Sequence, residues 1–441
     1  MKAVVIVAMA QETQTVVPID QFLVSPYEHS IPPGWTLVRL GEVAEFANGF
    51  AFKPEHWSSK GRPIIRIQNL TNTSDKINFF DGELDQRYLV KNGDLLVSWS
   101  ASLGAFIWNQ GEAWLNQHIF KVGQVTTTVD KLYLYYALQM IIGELQRKSR
   151  GSTMKHVTRQ EFLVTPIIVP PCHEQWRIAK VLSTIQRAIE AQEKVIVAAR
   201  ELKRSLMKHL FTYGPVLLTE ISRVALKETD IGPIPEHWAL VPCGDVCEAI
   251  TVGVVVRPAS HYVERGVPAF RSLNIHEDSL SIDDLVYFSN AANEGPLSKS
   301  KLRVGDVLIV RTGEPGTSCV VTKEFAGANC IDLVIVRPKR EVVVSEYLSR
   351  FFNSVAGRRQ ALSARVGLAQ QHLNVGAVRR TLVPIPAIST QRQISADLAA
   401  VDEKVSAEER RKAALQALFK TMLHHLMSGR IRVPETAMGP R

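Results

Sequence analysis

Two pairs of residues able to read nucleic acid stand at equal spacing far apart in this 441-residue chain: Arg66 with Asn69, and Arg271 with Asn274. An arginine fork matches the guanine edge or a phosphate, and an asparagine amide matches the adenine edge. The same residue types also serve locally, an arginine bonding a loop carbonyl and an asparagine capping a turn. The sequence leaves those two readings equal. Trp35 and Trp238 also hold matched places, and their Ile, Leu and Val neighbours favour core anchors over base-stacking platforms.

Signatures of enzymatic chemistry are missing. No Gly-Lys dipeptide occurs, which excludes a phosphate loop ending in Gly-Lys-Ser/Thr, and no Gly-x-Gly-x-x-Gly turn follows a strand. Pro32-Pro33 and Pro170-Pro171 lack the flanking residues of a base-methylating loop. Cys243 and Cys247 sit four apart and Cys172 abuts His173, but no second close pair completes a zinc site. These are expected to be structural thiols, with no metal bound. Gly313-Glu314-Pro315-Gly316-Thr317-Ser318 has no lysine and reads as a surface turn, one able to face a phosphate. His424-His425 falls on the last turns of a helix, where a cation complements the dipole.

Five cysteines, an odd number, make no disulfide framework and point to a reducing compartment, the cytoplasm. No run approaches the ~18 apolar residues of a membrane span. The apolar stretch over residues 3–10 is short for an export leader and reads as a strand or an ordered arm. A formal charge of +9 favours polyanionic partners without settling the matter.

The elements that must position these residues occur twice. Ile31-Pro32-Pro33-Gly34-Trp35 returns as Ile234-Pro235-Glu236-His237-Trp238, and Gly41-Glu42-Val43 as Gly244-Asp245-Val246. Pro63-Ile64-Ile65-Arg66 answers Pro268-Ala269-Phe270-Arg271, and Gly93-Asp94-Leu95-Leu96 answers Gly305-Asp306-Val307-Leu308. Thr165-Pro166-Ile167-Ile168-Val169-Pro170 corresponds to Thr381-Leu382-Val383-Pro384-Ile385-Pro386, and Gln175-x-x-Ile178 to Gln391-x-x-Ile394. Kept order with a slowly drifting offset marks a tandem duplication.

Each half opens with strand-and-turn sequence, then a helical stretch near Lys131–Lys148 or Ser345–Arg359. Each closes with a long helix, from about Glu174 to Phe211 and from about Thr390 to Met427, free of Pro and Gly. In the first, Ile178, Leu182, Ile185, Ile189, Ile196, Leu202, Leu206 and Leu210 form a stripe with one phase shift. In the second, Leu398, Val401, Val405, Leu415, Phe419, Met422 and Leu426 follow Ile394 on alternating 3/4 spacing, with Glu408 and Lys412 as two polar interruptions. Such narrow seams predict a coiled coil, the two helices pairing with each other, with Gly214 and Gly429 at their ends. At ~1.5 Å per residue each helix spans roughly 57 Å. The expected division is residues 1–172 and 214–388 as mixed α/β (α+β) recognition domains, 173–213 and 389–430 as antiparallel spacer helices, and 431–441 as a tail.

This order of motifs resembles the specificity subunit of Type I restriction–modification systems. The carrying motifs are the two Ile-Pro-x-x-Trp starts, the two Gly-Asp turns, Pro170-Pro171-Cys172-His173-Glu174-Gln175, and Leu426-Met427-Ser428-Gly429-Arg430 near the end. Thr390-Gln391 departs from the usual Glu-Gln by losing one capping carboxylate, and the first ~25 residues have no counterpart before the second repeat.

The resemblance implies a non-catalytic, DNA-binding chain whose two target recognition domains each read half of an asymmetric bipartite site on double-stranded DNA. It implies paired helices that set the spacer and dock partners: two modification subunits and two restriction subunits, with no membrane involved. S-adenosylmethionine, ATP and Mg²⁺ belong to those partners, and this chain carries no cofactor. Base-reading side chains are expected from the loops: Lys53, Arg66, Asn69, Ser98, Ser100, Lys155 and His156 in the first half. In the second they are Arg257, Arg271, Asn274, Arg311, Thr312, Gln370, Gln371 and His372. Inserting one heptad in a helix adds about 10 Å, or roughly three base pairs, of unread spacer. The rivals are a single-chain DNA methyltransferase or nuclease, and a tandem-repeat adaptor that binds only protein.

Overall fold

The computed structural model describes residues 31–74, 76–99, 102–149, 158–363 and 372–434. The chain divides into two units, one running to Gln192 and resuming at Arg411, the other Glu193–Arg410. Both long helices therefore contribute residues to each unit.

In the first unit the apolar run Leu95–Ser98 lies antiparallel between Gly104–Ile107 and Ile119–Val125, with Ala44–Asn48 on the outer edge. In the second, Val307–Val310 lies between Ser318–Val320 and Leu333–Pro338, with Cys247–Val252 outside. The edge strand is bulged at the same place in both, between Ala44 and Phe46 and between Cys247 and Ala249. The Gly-Asp repeat motif builds the turn into the central strand. Gly93 and Gly305 take φ of +88° and +85°, the left-handed region that glycine enters without strain. Asp94 and Asp306 then cap their own turns, accepting from the amides of Lys91 and Arg303 at 2.9 Å each. Each also pairs with a cation on the adjacent strand, Lys121 at 3.0 Å and Arg337 at 3.2 Å.

A second sheet flanks each central one. Arg62–Ile65 pairs antiparallel with Asn78–Phe80 and parallel with Ala113–Leu115, and Leu89–Val90 closes that edge. Val267–Phe270 pairs likewise with Val286–Phe288 and Asn329–Cys330, but here the extra strand, Tyr262–Val263, sits on the opposite edge. The helix expected over Ser345–Arg359 is two helices, Ser345–Asn353 and Val355–Ser363, whereas Lys131–Ser149 is continuous. Ser354 makes the break: its Oγ accepts from the Gly357 amide at 3.2 Å, capping the second helix.

The long helices are Cys172–Tyr213 and Ile388–Met427, 42 and 40 residues. Each is locked at its start by the glutamine of the Gln-x-x-Ile motif. Gln175 Nε2 donates to Pro170 O at 2.7 Å and Thr128 O at 2.8 Å, while its Oε1 accepts from Asp130 N at 2.7 Å. Gln391 repeats this with Pro386 O, Val342 O and Val344 N at 2.9, 3.0 and 2.9 Å. Tyr133 and Tyr347 add matching hydroxyl bonds of 2.7 Å to Ile168 O and Pro384 O.

The seam is present in the burial pattern. Ile178, Leu182, Ile196 and Leu398 are buried, and Ile185, Ile189, Val401, Val405, Leu415, Phe419 and Met422 are half-buried. The pairing is antiparallel within each unit. In the first, Ile178 and Leu182 share a core with Leu426, Met427 and Trp35; in the second, Met207, Leu210 and Phe211 share one with Ile394, Leu398 and Trp238. Leu202 departs from the expected stripe, being 59% exposed. At 3.6 residues per turn the stripe passes through Lys203 instead, whose ammonium is neutralised there by Asp278 at 3.2 Å and Asp402 at 2.6 Å. Gly214 and Gly429 follow the helix ends with positive φ, as expected.

Candidate nucleic-acid interface

One short loop in each domain carries the chain from the flanking sheet to the central one, and the candidate residues gather around it. In the first domain it is Asn116-Gln117-His118, between the strands ending at Leu115 and starting at Ile119. Asn116 N donates to Ile65 O at 3.1 Å and Gln117 N to Phe50 O at 2.9 Å. In the second it is Ile331-Asp332, with Ile331 N donating to Phe270 O at 2.8 Å and Asp332 N to Val254 O at 3.2 Å. These bonds bring the segments after Ile65, Phe50, Phe270 and Val254 to the loop. Gly49 and Gly253 permit the approach, since a Cβ there would lie 2.3 Å from the Asn116 carbonyl oxygen and 2.5 Å from that of Cys330.

Lys53 and Arg257 prove to be equivalents. Each is exposed, lies four residues beyond its close-approach glycine, and opens a one-turn helix, Pro54–His56 or Pro258–His261. Lys53 Nζ is 3.6 Å from Glu55, and Arg257 holds a left-handed φ of +43°. Arg66 and Arg271 follow directly on the strands ending at Ile65 and Phe270. The Arg66 guanidinium lies 5.5 Å from the Trp57 ring centre, while Arg271 Nη2 bonds both the carbonyl and the carboxylate of Asp284.

The asparagines of those pairs take the capping role. Asn69 Oδ1 accepts from Arg66 N at 3.1 Å and its Nδ2 donates to Lys76 O at 3.1 Å. Asn274 is fully buried, accepting from Arg271 N at 2.9 Å and donating to Asp283 O at 2.7 Å. Their amides are occupied in holding their own turns, so neither offers an edge to a base. Ser98 is likewise fully buried, its hydroxyl donating to Ser102 O at 2.6 Å. The burial of a strand-end hydroxyl is decided by the neighbouring strand, which one-dimensional sequence does not reveal.

Arg311, Thr312 and His372 do come together. Thr312 Oγ1 lies 2.7 Å from His372 Nδ1 and 3.4 Å from Asp332 Oδ2; Arg311 Nη1 bonds Asp332 and its Nε donates to Leu373 O at 3.0 Å. In the first domain Trp99 stands where Arg311 does and His118 where Asp332 does, ring centres 5.9 Å apart. Ser100, Lys155, His156, Gln370 and Gln371 lie outside the described residues. The connecting loops themselves, with Gln117, His118 and Asp332, were missed. The available signal was that they differ in length and type between halves whose flanking strands align.

The loop of residues 313–318 closes the hairpin between Val307–Val310 and Ser318–Val320, and Arg358 Nη1 donates to Thr317 Oγ1 at 2.6 Å across it. Cys243 and Cys247 are buried with sulfurs 3.7 Å apart, and their mutual hydrogen bond together with burial pushes the Cys243 thiol well up. Among the described residues no group of three or more His, Cys, Asp or Glu is placed to hold a metal ion, and no helix is long and apolar enough to cross a membrane.

Residues 32–198 match the family described as Type I restriction modification DNA specificity domain. Over its length the chain is similar to Type I specificity subunits. It is 23% identical to the Type I restriction enzyme EcoBI specificity subunit of Escherichia coli, across 83% of this chain and 78% of that one. It is also 23% identical to the MjaVIII specificity subunit of Methanocaldococcus jannaschii, across 91% and 94%. Among solved structures, the S subunit of a Type I restriction-modification system from M. genitalium shares the fold with a TM-score of 0.54 at 14% identity, covering 90% of this chain and 97% of that one. A chain from a structure on complex assembly of the type I R-M system also has a TM-score of 0.54, at 18% identity, covering 91% and 100%.

Proposed function

We propose that this chain is the DNA-specificity subunit of a Type I restriction–modification complex, each repeat reading one half of a bipartite, asymmetric site. The observation that carries this reading is the repeated connecting loop: one scaffold, built twice, presents different side chains at equivalent positions. Two unlike readers on one chain call for two unlike half-sites. Residues 1–172 and 214–388 serve as the recognition domains, and the two helices, 173–213 and 389–430, set the unread spacer and dock the modification subunits.

The chain itself is non-catalytic on this reading. S-adenosylmethionine, ATP and Mg²⁺ enter with two modification and two restriction subunits, in the cytoplasm. The residues proposed to meet DNA are Lys53, Arg66, Arg257, Arg271, Arg311, Thr312 and His372, with Ser100, Lys155, His156, Gln370 and Gln371 from the adjoining segments. Asn69, Asn274 and Ser98 are left out because their polar atoms are already bonded within their own loops.

Methylation mapping of DNA from cells expressing the chain with and without its modification subunit tests this. A new asymmetric bipartite adenine mark that requires both chains is the expected result. A mark made by this chain alone would establish it as an enzyme instead. A confirmed, active complex that leaves no mark would overturn the specificity role.

A further inference from the structure

Arg311 leaves its strand with its guanidinium already fixed. Nη1 is bonded to the Asp332 carboxylate and Nε donates to Leu373 O at 3.0 Å, while Leu373 N donates back to Arg311 O at 3.1 Å. Asp332 is itself fixed. Its amide bonds Val254 O at 3.2 Å, and its φ of +52° is a left-handed conformation that aspartate tolerates better than most residues. Thr312 closes the group through Asp332 Oδ2 and His372.

Three consequences follow for what this arginine can bind. Beyond those bonds the fork retains one hydrogen on Nη1 and two on Nη2, and a guanidinium edge of two such donors matches the O6 and N7 acceptors of guanine. Its charge is already balanced by Asp332, which weakens its pull on a phosphate relative to a free lysine or arginine. Holding the fork in advance also removes the ordering cost that a flexible side chain meets on binding.

We propose that Arg311, with Asp332 as its positioning residue, reads a guanine in the half-site of the second domain. The first domain has no such reader at the equivalent place. Trp99 and His118 stand directly after and before the same pair of strands, with Trp99 stacked on Phe120 at 5.5 Å. The two half-sites therefore differ at the base pair that meets this position. The inference rests on the DNA-specificity role proposed above.

The test uses the full complex with its modification subunits and a DNA library randomised one base pair at a time across the mapped site. Arg311→Ala is expected to lower the preference for guanine at one position of one half-site by roughly ten- to hundredfold, leaving spacer and other half unchanged. Arg311→Lys, which keeps the charge and loses the fork, should relax the same position. Asp332→Asn should relax it by a smaller factor and Asp332→Glu should recover part of the loss, which a merely structural role would not produce. Melting of each variant separates misfolding from altered reading, and the lysine variant decides if the alanine variant is unfolded.

Uniform weakening at every position would make Arg311 a phosphate contact and overturn the proposal. So would unaltered selectivity, or relaxation at a base pair that is not G·C. A wild-type complex that leaves no bipartite mark defeats the specificity role itself and is a different outcome from these.

Discussion

Where the first unit packs Tyr136 against Phe419, ring centres 6.1 Å apart, the second places Arg350 at the position equivalent to Tyr136. Arg350 Nη1 reaches Asp278 at 3.3 Å and Asp402 at 2.9 Å, and Lys203 Nζ reaches the same two carboxylates. Asn353 Nδ2 adds a 3.0 Å bond to Asp278. One domain thus meets its helix through aromatic contact and the other through a shielded network of charges. The contrast reverses at the tryptophans. Trp35 Nε1 donates to Glu174 Oε2 at 2.5 Å, Arg432 Nε donates to Glu174 Oε1 at 2.9 Å, and the Arg432 guanidinium lies over the Trp35 ring. In the second unit Thr390 stands where Glu174 does, so no such clasp forms through it.

Chain connectivity explains the second difference. The central helix, ending at Tyr213, leads by continuous chain to Trp238 in the same unit. The C-terminal helix reaches Trp35 from some 390 residues away along the chain and must be held without a covalent link. Glu174 is therefore more than a helix-capping carboxylate: it joins the start of one helix to the residues just past the end of the other. The duplicated fold keeps the bonds that cap its turns and lock its helix starts, while the polar contacts between each domain and its helix differ.

The largest expected effect breaks the charged network. Asp278→Asn keeps shape and left-handed tolerance but leaves Lys203 and Arg350 sharing Asp402, at a cost of about 3–5 kcal/mol. Chemical denaturation followed by a probe in the second unit measures it, and a loss under 1 kcal/mol would show that the network contributes little. Next come the shared locks. Gln175→Ala and Gln391→Ala should each destabilise by about 3 kcal/mol, because each removes three bonds from a fully buried amide. Unequal losses would break the claim that the two helix starts are equivalent.

Glu174→Gln retains an acceptor for Trp35 but not the charge for Arg432, whose side chain is 43% exposed. A loss of about 1–2 kcal/mol in the first unit, with altered Trp35 fluorescence, is expected. An unchanged midpoint would reduce the clasp to a contact without consequence. The smallest effect concerns Asp306. Burial raises its carboxyl above the ordinary carboxylate value, and the Arg303 amide and Arg337 lower it only in part. The folded state then binds the proton more tightly than the unfolded one, so this group's contribution to stability rises as pH falls through the folded value and levels off below the unfolded one. Denaturation midpoints of wild type and Asp306→Asn across about pH 4 to 6 check the sign. The wild type should gain on the variant toward acid, and a gain toward neutral pH would reverse the assignment.

Much of the architecture was legible because the chain states it twice. The Gly-Asp, Gln-x-x-Ile and Ile-Pro-x-x-Trp motifs turn out to be a turn cap, a helix-start lock and a core anchor; the cap closes within its own turn, whereas the glutamine lock also reaches residues more than 40 positions away. The seam was legible from Ile178 and from Ile394 because periodic burial is a local property. It misled at Leu202, where an apolar residue is exposed and Lys203 takes the seam position. Charge on Lys203 argues for solvent until Asp278 and Asp402, 75 and 199 residues away, are brought beside it.

The interface was less legible, for the same reason. Residue type put Arg311, Thr312 and His372 among the candidates, but Asp332, which holds the first two, was signalled only by the unequal loops between aligned strands. Asn69 and Asn274 carried a signal that fitted base reading and local capping equally, and the folded loops use them as caps. The duplication, the alternation of sheet domains with long helices, and the residue types at the loops can all be read along the chain. Which of those side chains remain free to meet a partner is settled on folding, because it depends on hydrogen bonds closed between segments far apart along the chain.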